Sequence, residues 1–596
     1  MSRLKLIFIL LSIIYSQVPN RYLLENINDY YLLRDNRDLS DDLLSKSIVD
    51  LRQINNSSIA AGTSGGIGLI GQGINFYSYN DDNIVSGGNP ALETYPEENL
   101  VVISGVQTIN YNGENVVSGT GISWSEDNGD SWKYIDQPQD TSPDCENIDE
   151  TDENTWYLGH NQFESGIPDG VPDDCYPSVS GCNWNVLNSE CNYINQNYMV
   201  FQWGGQTLSS LPIQTTAKNV TYDLTIDLEL EYIYAASWAG MIRRFKFTDD
   251  NPEWELVPLP MDNQSEVTCG GYPNDYIYNP VDPIISGNLN SGGNHNHKGF
   301  SVYSDYYNNT NYIWAGTADG VNRGIVDESG CVDWVHFNTS DGLAGDWIID
   351  IVPQDIGNEI PRIWLISWNR EGGPSPHGLT YSDDNGDTWT QINQFIEEEA
   401  IVYNLYFNNN NLYASTSAGL YNSSSDNIEL WNKIIFPNEI LESLDYFEKV
   451  YTCIETEEYF FIGSPNGLVY VIGSVFDEFN LWQSYIPYNQ EELNKNKLLI
   501  WPNPLLLGQH YNVDFSYKTD HTHGKMEIYN FSMDRVDSFE CSNYNDYYGN
   551  LECSWDGRNK NNLKVANGVY FCKLTVGYSQ EIWEKLMVIN SSKGNY

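Results

Sequence analysis

The stretch Trp314-Ala-Gly-Thr317, with Gly320 just after it and Trp334 further on, is one copy of a unit that recurs along the chain. A copy has an apolar or aromatic residue, mostly small residues, a Thr or Ser, and then a Gly. We count seven copies: Ile59–Thr63 with Gly66, Val117–Thr120 with Gly121, Tyr234–Ser237 with Gly240, Trp314–Thr317 with Gly320, Trp364–Ser367 with Gly378, Tyr413–Thr416 with Gly419, and Phe461–Ser464 with Gly467. In six of them a Trp follows the Gly by 11 to 15 residues: Trp132, Trp254, Trp334, Trp389, Trp431 and Trp482.

This unit reads as a small antiparallel sheet. Its small residues permit close packing of a strand near a crowded axis, its Gly suits the tight turn into the next strand, and its Trp places a large ring between neighbouring sheets. Such a sheet can bury its faces only against the next unit. Seven sheets arranged radially make a seven-bladed β-propeller. The sequence therefore predicts an all-β protein with a seven-bladed β-propeller over residues 48–487.

Composition excludes two classes of protein. The 596 residues include 82 Asp and Glu against 29 Lys and Arg, a net charge of −53, and such a field repels nucleic-acid phosphates. Aromatic residues reach 14%, far more than a disordered acidic chain contains. We expect a folded protein that does not bind nucleic acid.

The first residues have the order of a signal peptide, which we assign to residues 1–16. Two basic residues within Ser2–Lys5 precede the apolar run Leu6–Tyr15, and Ser16 is a small residue at a cleavage position. A leader segment over residues 17–47 follows. No later stretch approaches the roughly 20 apolar residues of a membrane helix. We expect a secreted or outer-surface protein without a transmembrane segment.

Two stretches are longer than plain propeller blades need, namely residues 137–213 and 261–300. With the enlarged loop Trp368–His377, we expect them to gather on one face as a recognition surface, because loops on a rigid scaffold carry binding.

Ten cysteines in an exported protein favour disulfides, with the connectivity of the first cluster open. The clustered ones are Cys145, Cys175, Cys182 and Cys191, and then Cys541 and Cys553.

Two segments follow the pattern Ser-x-Asp-x-Gly-x-Ser/Thr-Trp, namely Ser125–Trp132 and Ser382–Trp389. This pattern resembles the Asp-box, or BNR, repeat of the sialidase, sortilin and xyloglucanase propellers. The resemblance implies turn locks and not catalytic acids or calcium ligands, since Ser and Asp side chains bond to the turn backbone and Gly accepts positive φ. The implied structural residues are Ser125, Asp127, Gly129, Trp132, Ser382, Asp384, Gly386 and Trp389.

After a polar linker at residues 488–497, the pattern changes to that of a small Ig-like β-sandwich over residues 498–590. Its motifs fall in the order of the C-terminal sorting domain of bacterial type IX secretion cargo and the related FlgD-type fold, which it resembles. The resemblance implies type IX-like secretion machinery as a partner. An adhesive or spacer unit is the alternative. The matching residues are Pro502, Asn503, Pro504, Trp555, Asp556, Gly557, Arg558, Gly568 and Tyr570.

Catalytic signals are weak in this sequence. Sialidase chemistry needs three arginines around a carboxylate, and the ring offers Arg243, Arg244, Arg323, Arg362 and Arg370, but the early Arg-Ile-Pro signature of that family is missing. Among 82 acids, a pair of carboxylates at the spacing used by glycoside hydrolases carries no information. The catalytic residues stay unknown.

Metal signals are limited too. His295-Asn-His297 and His521-Thr-His523 each begin a metal site but have no third ligand at fixed spacing. No cofactor is certain. Calcium is the one ion considered, at Asp169, Asp173 and Asp174 in an acidic stretch, with an ordinary acidic loop as the alternative.

The favoured interpretation is a secreted or surface-displayed bacterial protein whose channel-mouth face binds a glycan or a protein. Aromatic platforms beside polar groups suit sugar rings. A secreted glycoside hydrolase using the same face is the alternative, and a purely structural adhesion component is a third. The candidate ligand-binding residues are Trp238, Asp319, Trp368, Arg370 and Asn466.

Overall fold

The computed structural model confirms the all-β prediction, with 57% strand and 4% helix. It describes residues 43–55, 58–71, 75–79, 81–111, 114–140, 182–185, 190–193, 199–213, 215–274, 276–280, 293–369, 376–408, 410–444, 448–473, 475–476, 482–485, 498–501, 505–507, 512–519, 521–545, 550–577 and 580–590. Within these ranges, no helix has the length and apolar character to cross a membrane. The described residues form two compact units, one within residues 43–435 and 448–485 and the other within residues 436–444 and 498–590.

Most of the described part of the first unit consists of seven antiparallel sheets, each built on four consecutive strands, with a fifth strand added to one of them. Sheet 1 contains β1 (Ile48–Asn55), β2 (Ser58–Thr63), β3 (Ile67–Gly71) and β4 (Asn75–Ser78), and sheet 2 contains β5 (Leu92–Tyr95), β6 (Leu100–Tyr111), β7 (Glu114–Ser125) and β8 (Lys133–Ile135). Four strands follow before sheet 3: β9 (Cys182–Asn185), β10 (Glu190–Tyr193), β11 (Met199–Trp203) and β12 (Gln206–Ser210). Sheet 3 contains β13 (Thr221–Asp227), β14 (Tyr232–Ser237), β15 (Met241–Lys246) and β16 (Glu255–Leu256), followed by β17 (Glu266–Val267) and β18 (Ile277–Tyr278).

The remaining sheets of this unit follow in chain order. Sheet 4 contains β19 (Gly299–Tyr307), β20 (Thr310–Thr317), β21 (Gly320–Val326) and β22 (Val332–Phe337), and sheet 5 contains β23 (Trp347–Gln354), β24 (Arg362–Trp368), β25 (Gly378–Ser382) and β26 (Thr390–Ile392). After helix α1 (Asn393–Glu397), sheet 6 contains β27 (Val402–Asn408), β28 (Asn411–Thr416), β29 (Gly419–Ser424) and β30 (Asn427–Lys433). Helix α2 (Asn438–Ser443) precedes sheet 7, which contains β31 (Thr452–Glu455), β32 (Tyr459–Ser464), β33 (Gly467–Ile472) and β34 (Trp482–Tyr485).

The first strands of these sheets stand side by side around a central channel, so the unit is a β-propeller. Each contacts the first strand of the next sheet, and β31 of sheet 7 contacts β1 of sheet 1. Across this last junction the Thr452 hydroxyl donates to the Asp50 carboxylate at 3.3 Å. Each sheet is built from consecutive strands, so the ring closes by packing and side-chain hydrogen bonds and not by a shared strand.

The recurring small-residue motif forms the second strand in six sheets. Sheet 2 differs, because β6 and β7 continue as a long hairpin to the pair Tyr111 and Glu114. In that hairpin Gly105 lies opposite Gly121, as Thr317 lies opposite Gly320 in sheet 4. The motif of sheet 2 is therefore Val101–Gly105, and assigning Val117–Thr120 to it was wrong.

The recurring tryptophans belong to the fourth strand of their sheets or immediately precede it. Trp132 of sheet 2 is buried with Ile54 and Ala60 of sheet 1. Trp389 of sheet 5 meets Trp314 of sheet 4 edge to face, with ring centroids 6.2 Å apart. These indoles fill the space between neighbouring sheets, where a large ring buries the most apolar surface.

The described parts of the two insertions pack together and against sheets 3 and 4. Strands β11 and β12 of the first insertion form one sheet with β18 of the second, and β17 extends sheet 4 as a fifth strand. Trp203 and Tyr278 join the core of sheets 3 and 4. A disulfide between Cys269 and Cys331 reaches the turn from β21 to β22. Aromatic burial thus turns these segments into a wedge between two sheets.

The second unit contains a β-sandwich-like pair of sheets. One has the order β35 (Leu499–Trp501), β37 (Val513–Lys518), β41 (Asn550–Trp555) and β40 (Asn543–Asn545). The other has the order β36 (Leu505–Leu507), β43 (Gln580–Asn590), β42 (Gly568–Val576), β38 (Gly524–Tyr529) and β39 (Arg535–Cys541). The predicted Cys541–Cys553 disulfide is present.

The Trp-Asp-Gly-Arg motif of this unit forms a turn. The buried Trp555 indole donates to the Arg558 carbonyl at 2.7 Å, and the Asp556 carboxylate accepts from the Arg558 amide at 3.0 Å. Gly557 has φ of +69°, which glycine adopts without strain. Pro502, Asn503 and Pro504 lie outside the described residues, as do the predicted signal peptide and the predicted linker.

Candidate functional site

The candidate site is a cavity of about 510 Å³ in the central channel, which the ends of the first strands line. Sheets 1 to 6 all contribute to its wall. The polar and aromatic lining residues are Arg52, Glu93, Tyr95, Asp223, Thr225, Tyr303, Asp350, Gln354, Asp355, Asn404, Tyr406 and Phe407. A concave site that mixes aromatic and charged groups is what a polar ligand requires.

Arg52 is the one arginine among the cavity-lining residues. Its Nε atom lies 3.2 Å from Asp50 Oδ2, and a terminal nitrogen lies 3.8 Å from Glu93 Oε2. Although burial opposes its charge, Asp50, Glu93, Asp350 and Asp223 raise the pKa of Arg52. The guanidinium therefore stays protonated among several carboxylates.

The pKa of Glu93 is shifted towards its uncharged form, whereas that of Arg52 is shifted towards its charged form. Burial raises its pKa above the ordinary value, the attraction of Arg52 lowers it, and the charges of Asp50 and Asp350 raise it again. The net shift is upward. A carboxyl with a raised pKa holds a proton more readily than an ordinary glutamate, which is the property of a general acid.

Three tyrosines of the cavity wall are held by their hydroxyl groups. Tyr95 donates to the Ile226 carbonyl at 3.2 Å, Tyr406 donates to the Glu455 carbonyl at 3.0 Å, and Tyr303 donates to the Asp305 carboxylate at 2.5 Å. Burial raises the pKa of all three phenols, that of Tyr406 to about 12. Their rings are thus fixed, uncharged surfaces.

The starts of the same strands meet in an apolar cluster to which all seven sheets contribute. We name its aromatic part the aromatic plug, and it contains Trp238, Phe300, Trp347, Trp368, Tyr403 and Tyr451. Ring centroids of Trp238 and Phe300 are 5.1 Å apart, and those of Trp368 and Tyr403 are 5.6 Å apart. The plug lies around the starts of the first strands, whose later residues line the cavity.

Two predicted ligand-binding residues therefore lie inside the plug. Trp238 is 3% exposed and Trp368 is 5% exposed, and the Trp368 indole donates to the Val402 carbonyl at 2.8 Å. Rings buried to this degree cannot serve as solvent-facing platforms for a sugar, so this part of the prediction was wrong. The prediction did not consider that the surrounding residues are apolar enough to bury both rings in one cluster.

The other predicted residues lie apart from the cavity. Asp319 and Asn466 occupy the turns after the second strands of sheets 4 and 7, where their amides donate to Thr317 and Ser464 hydroxyls. Neither lines the cavity. Arg370 lies outside the described residues.

The arginines considered for a sialidase-type grip do not converge. Arg370 aside, they lie in sheets 3, 4 and 5, and each is ion-paired with an acid: Arg243 with Asp140, Arg244 with Glu255, Arg323 with Asp387, and Arg362 with Asp383. Arg243 and Arg244 are both 3% exposed. Side chains committed in this way position strands and do not bind a shared carboxylate.

The histidines and aspartates considered as metal ligands do not form a common site in the described residues. His297 is fully buried against Tyr278, and burial lowers its pKa to about 3, so it is a neutral core residue. His521 and His523 are exposed. In the described ranges, no group of three or more His, Cys, Asp or Glu side chains is placed to hold a metal ion. Asp169, Asp173 and Asp174 lie outside those ranges.

The two Asp-box-like segments form the same turn. In the first, the Ser125 hydroxyl donates to Asp127 and accepts from the Gly129 amide, both at 2.7 Å, and Asp127 accepts from Ser131. The second repeats these bonds, with Ser382, Asp384, Gly386 and Thr388 in the same places. Hydrogen bonds from Ser131 lower the pKa of Asp127. Each carboxylate is used within its own turn.

Arg52 and Glu93 escaped the sequence analysis. Both residues lie on the first strands of their sheets, which do not contain the recurring small-residue motif, so that motif does not point to them. A signal was present: first strands begin with an apolar residue followed by a polar one, as in Val49-Asp50, Tyr222-Asp223 and Ile349-Asp350.

No family model and no curated protein matches this chain. Among solved structures it is similar to PorZ, an essential bacterial surface component of the type-IX secretion system of Porphyromonas gingivalis, with 11% identity over 92% of this chain and 99% of that one and a TM-score of 0.25. It is also similar to the GH74 xyloglucanase of Xanthomonas campestris, with 9% identity over 92% and 67% and a TM-score of 0.41. A third similar structure is the extracellular domain of a putative one-component system from B. thetaiotaomicron. It shows 11% identity over 93% of this chain and 100% of that one, with a TM-score of 0.25. At these scores the propeller assignment rests on the chain's own strand pairing.

Proposed function

We propose that the chain is a secreted or outer-surface bacterial protein that binds an extracellular glycan or protein ligand in the channel cavity. The cavity carries this proposal, because it combines fixed tyrosine rings with Arg52, Glu93 and Asp350 in a concave site. Ligand hydroxyl and amide groups would bond to the charged side chains while apolar faces rest on the rings. Export through residues 498–590 by type IX-like machinery belongs to the same proposal and is supported by the motifs of that unit.

The test uses the full chain. Ligands are first selected on glycan and peptide arrays, and affinities are then measured by calorimetry for Arg52→Gln and Asp350→Asn. We expect both changes to weaken binding, since charge-assisted hydrogen bonds are the stronger contacts of such sites. Lys433→Gln, an exposed change on the outer strand β30, is the matched control. Binding that ignores both cavity variants would refute the proposal, and so would the absence of any ligand, which favours a purely structural protein.

Glycoside hydrolysis at the same cavity is a second candidate, favoured by one observation. The raised pKa of Glu93 suits a general acid, and Asp223 and Asp350 line the same cavity. Release of reducing sugar by the unchanged protein, abolished in Glu93→Gln, would establish this activity. Binding without release, retained in Glu93→Gln, would leave the protein a binder.

A further inference from the structure

A second polar arrangement lies in sheet 4, away from the channel cavity, and its hydrogen bonds fix the direction of every donor. The Pro260 carbonyl can only accept, and it lies 2.9 Å from Asn296 Nδ2. That nitrogen is therefore the amide NH₂ group, and it also donates to Asn322 Oδ1 at 2.9 Å. In agreement, Asn322 Nδ2 donates to the Ala315 carbonyl at 3.3 Å.

This direction determines the tautomer of His336. Its Nδ1 atom lies 3.0 Å from Asn322 Oδ1, which is an acceptor, so Nδ1 carries the hydrogen. The other ring nitrogen, Nε2, then presents a lone pair whenever the ring is neutral. His336 is 6% exposed, and Nε2 has no hydrogen-bond partner among the residues that the structure describes.

A second acceptor lies near this lone pair. Asp319 Oδ2 lies 3.5 Å from His336 Nε2, and the Asp319 side chain is 29% exposed. Two acceptors in this arrangement are stable only with an electropositive group between them. Either a proton or a metal ion meets that need.

The distance between His336 Nε2 and Asp319 Oδ2 distinguishes a bridging proton from a bridging metal ion. A charge-assisted hydrogen bond between nitrogen and carboxylate spans about 2.7–2.9 Å. Two donors on a tetrahedral zinc ion, each about 2.0–2.2 Å from the metal, lie about 3.4 Å apart. The observed 3.5 Å matches the metal-bridged spacing.

We propose that His336 Nε2 and Asp319 Oδ2 bind a divalent transition-metal ion of the zinc class. Imidazole nitrogen and carboxylate oxygen are both ordinary zinc ligands. The hydrogen bond from Nδ1 to Asn322 orients the ring, as outer groups do around metal-binding histidines. Two protein donors leave two positions for water or for donor atoms of an external ligand. The site is independent of the channel cavity.

The test is calorimetric titration of the full chain with ZnCl₂ at neutral pH, with Mg²⁺ as a hard-cation control. We expect zinc to bind at this site and Asp319→Asn or His336→Gln to weaken it by roughly tenfold or more. Asp319→His restores a metal donor without the carboxylate, so zinc binding should stay close to that of the unchanged protein. Asp319 lies in a turn and is partly exposed, so its variants remain informative if His336→Gln misfolds.

A matched control removes the other histidine pair. The double change His521→Gln, His523→Gln eliminates the exposed histidines of the second unit and should leave this zinc affinity unchanged. The proposal fails if the unchanged protein does not bind zinc, as expected of a protonated His336 paired with Asp319. It also fails if Asp319→Asn binds zinc as well as the unchanged protein, or if only the double variant loses it.

Discussion

Adjacent residues of the same first strands build two different regions of the propeller, a buried apolar cluster and the wall of a polar cavity. In five sheets the first strand has a register shift at the same place. The skipped residues Val49, Tyr222, Phe300, Ile349 and Tyr403 all join the apolar cluster. The residues that follow are polar: Asp50, Asp223, Ser301, Asp350 and Asn404. A β-bulge thus separates a plug from a cavity within one residue.

The polar end also joins neighbouring sheets. Asp223 of sheet 3 accepts from the Val302 amide of sheet 4 at 2.9 Å, and Ser301 of sheet 4 donates to the Ile348 carbonyl of sheet 5 at 3.0 Å. Such bonds satisfy groups that would otherwise be buried without partners. The difference teaches that the plug holds the ring by apolar burial, whereas the cavity end holds it by hydrogen bonds that leave charge available to a ligand.

The largest effect should come from opening the plug. Phe300 is fully buried between Trp238 and Trp347, so Phe300→Ala should cost about 3–5 kcal/mol of unfolding free energy through lost burial and a cavity. Thermal and denaturant unfolding measure this. Tyr306→Ala, which removes a half-exposed ring on the same strand, is the control. Equal losses in both variants would contradict a special role for the plug.

A smaller effect is expected at the cavity end. Arg52→Gln leaves Asp50 and Glu93 without their cation, and should cost about 1.5–3 kcal/mol at neutral pH. The loss should shrink as the pH falls and Glu93, whose pKa is raised, takes up a proton. Unfolding measured across pH, with Lys433→Gln in parallel, tests this. A loss that stays constant down to acid pH would show that the charge of Arg52 is unimportant.

The smallest effect concerns Glu93, and its sign is opposite. Because the folded-state pKa is raised, the folded chain binds this proton more tightly, and stability falls as the pH rises from the ordinary value of 4.5 through the folded-state value. Glu93→Gln removes that loss and should stabilise the protein slightly at neutral pH. The gain should vanish at low pH. Exposed Glu97→Gln should show no such pH-dependent gain, and a destabilised Glu93→Gln would reverse the interpretation of this site.

Much of the architecture can be predicted from short recurring sequence motifs. The Thr317 and Gly320 pair, with Trp334 after it, recurs because every sheet needs the same close packing, tight turn and filling ring. The Ser125 and Ser382 turns are readable for the same reason, since their bonds lie within a few residues. The cavity was not readable, because Arg52, Glu93 and Asp350 lie on three strands far apart in the chain and meet only when the ring closes.

The amino-acid order alone is enough for the β class, the recurring unit, the turn locks and the Cys541–Cys553 bridge, because these depend on contacts between near neighbours. Only the folded ring decides that Trp238 and Trp368 are core residues, that the described parts of the insertions pack against sheets 3 and 4, and that charged side chains line the channel cavity. The physical reason is that burial belongs to a three-dimensional environment: an indole is a ligand platform on an open face and a plug where seven strands converge.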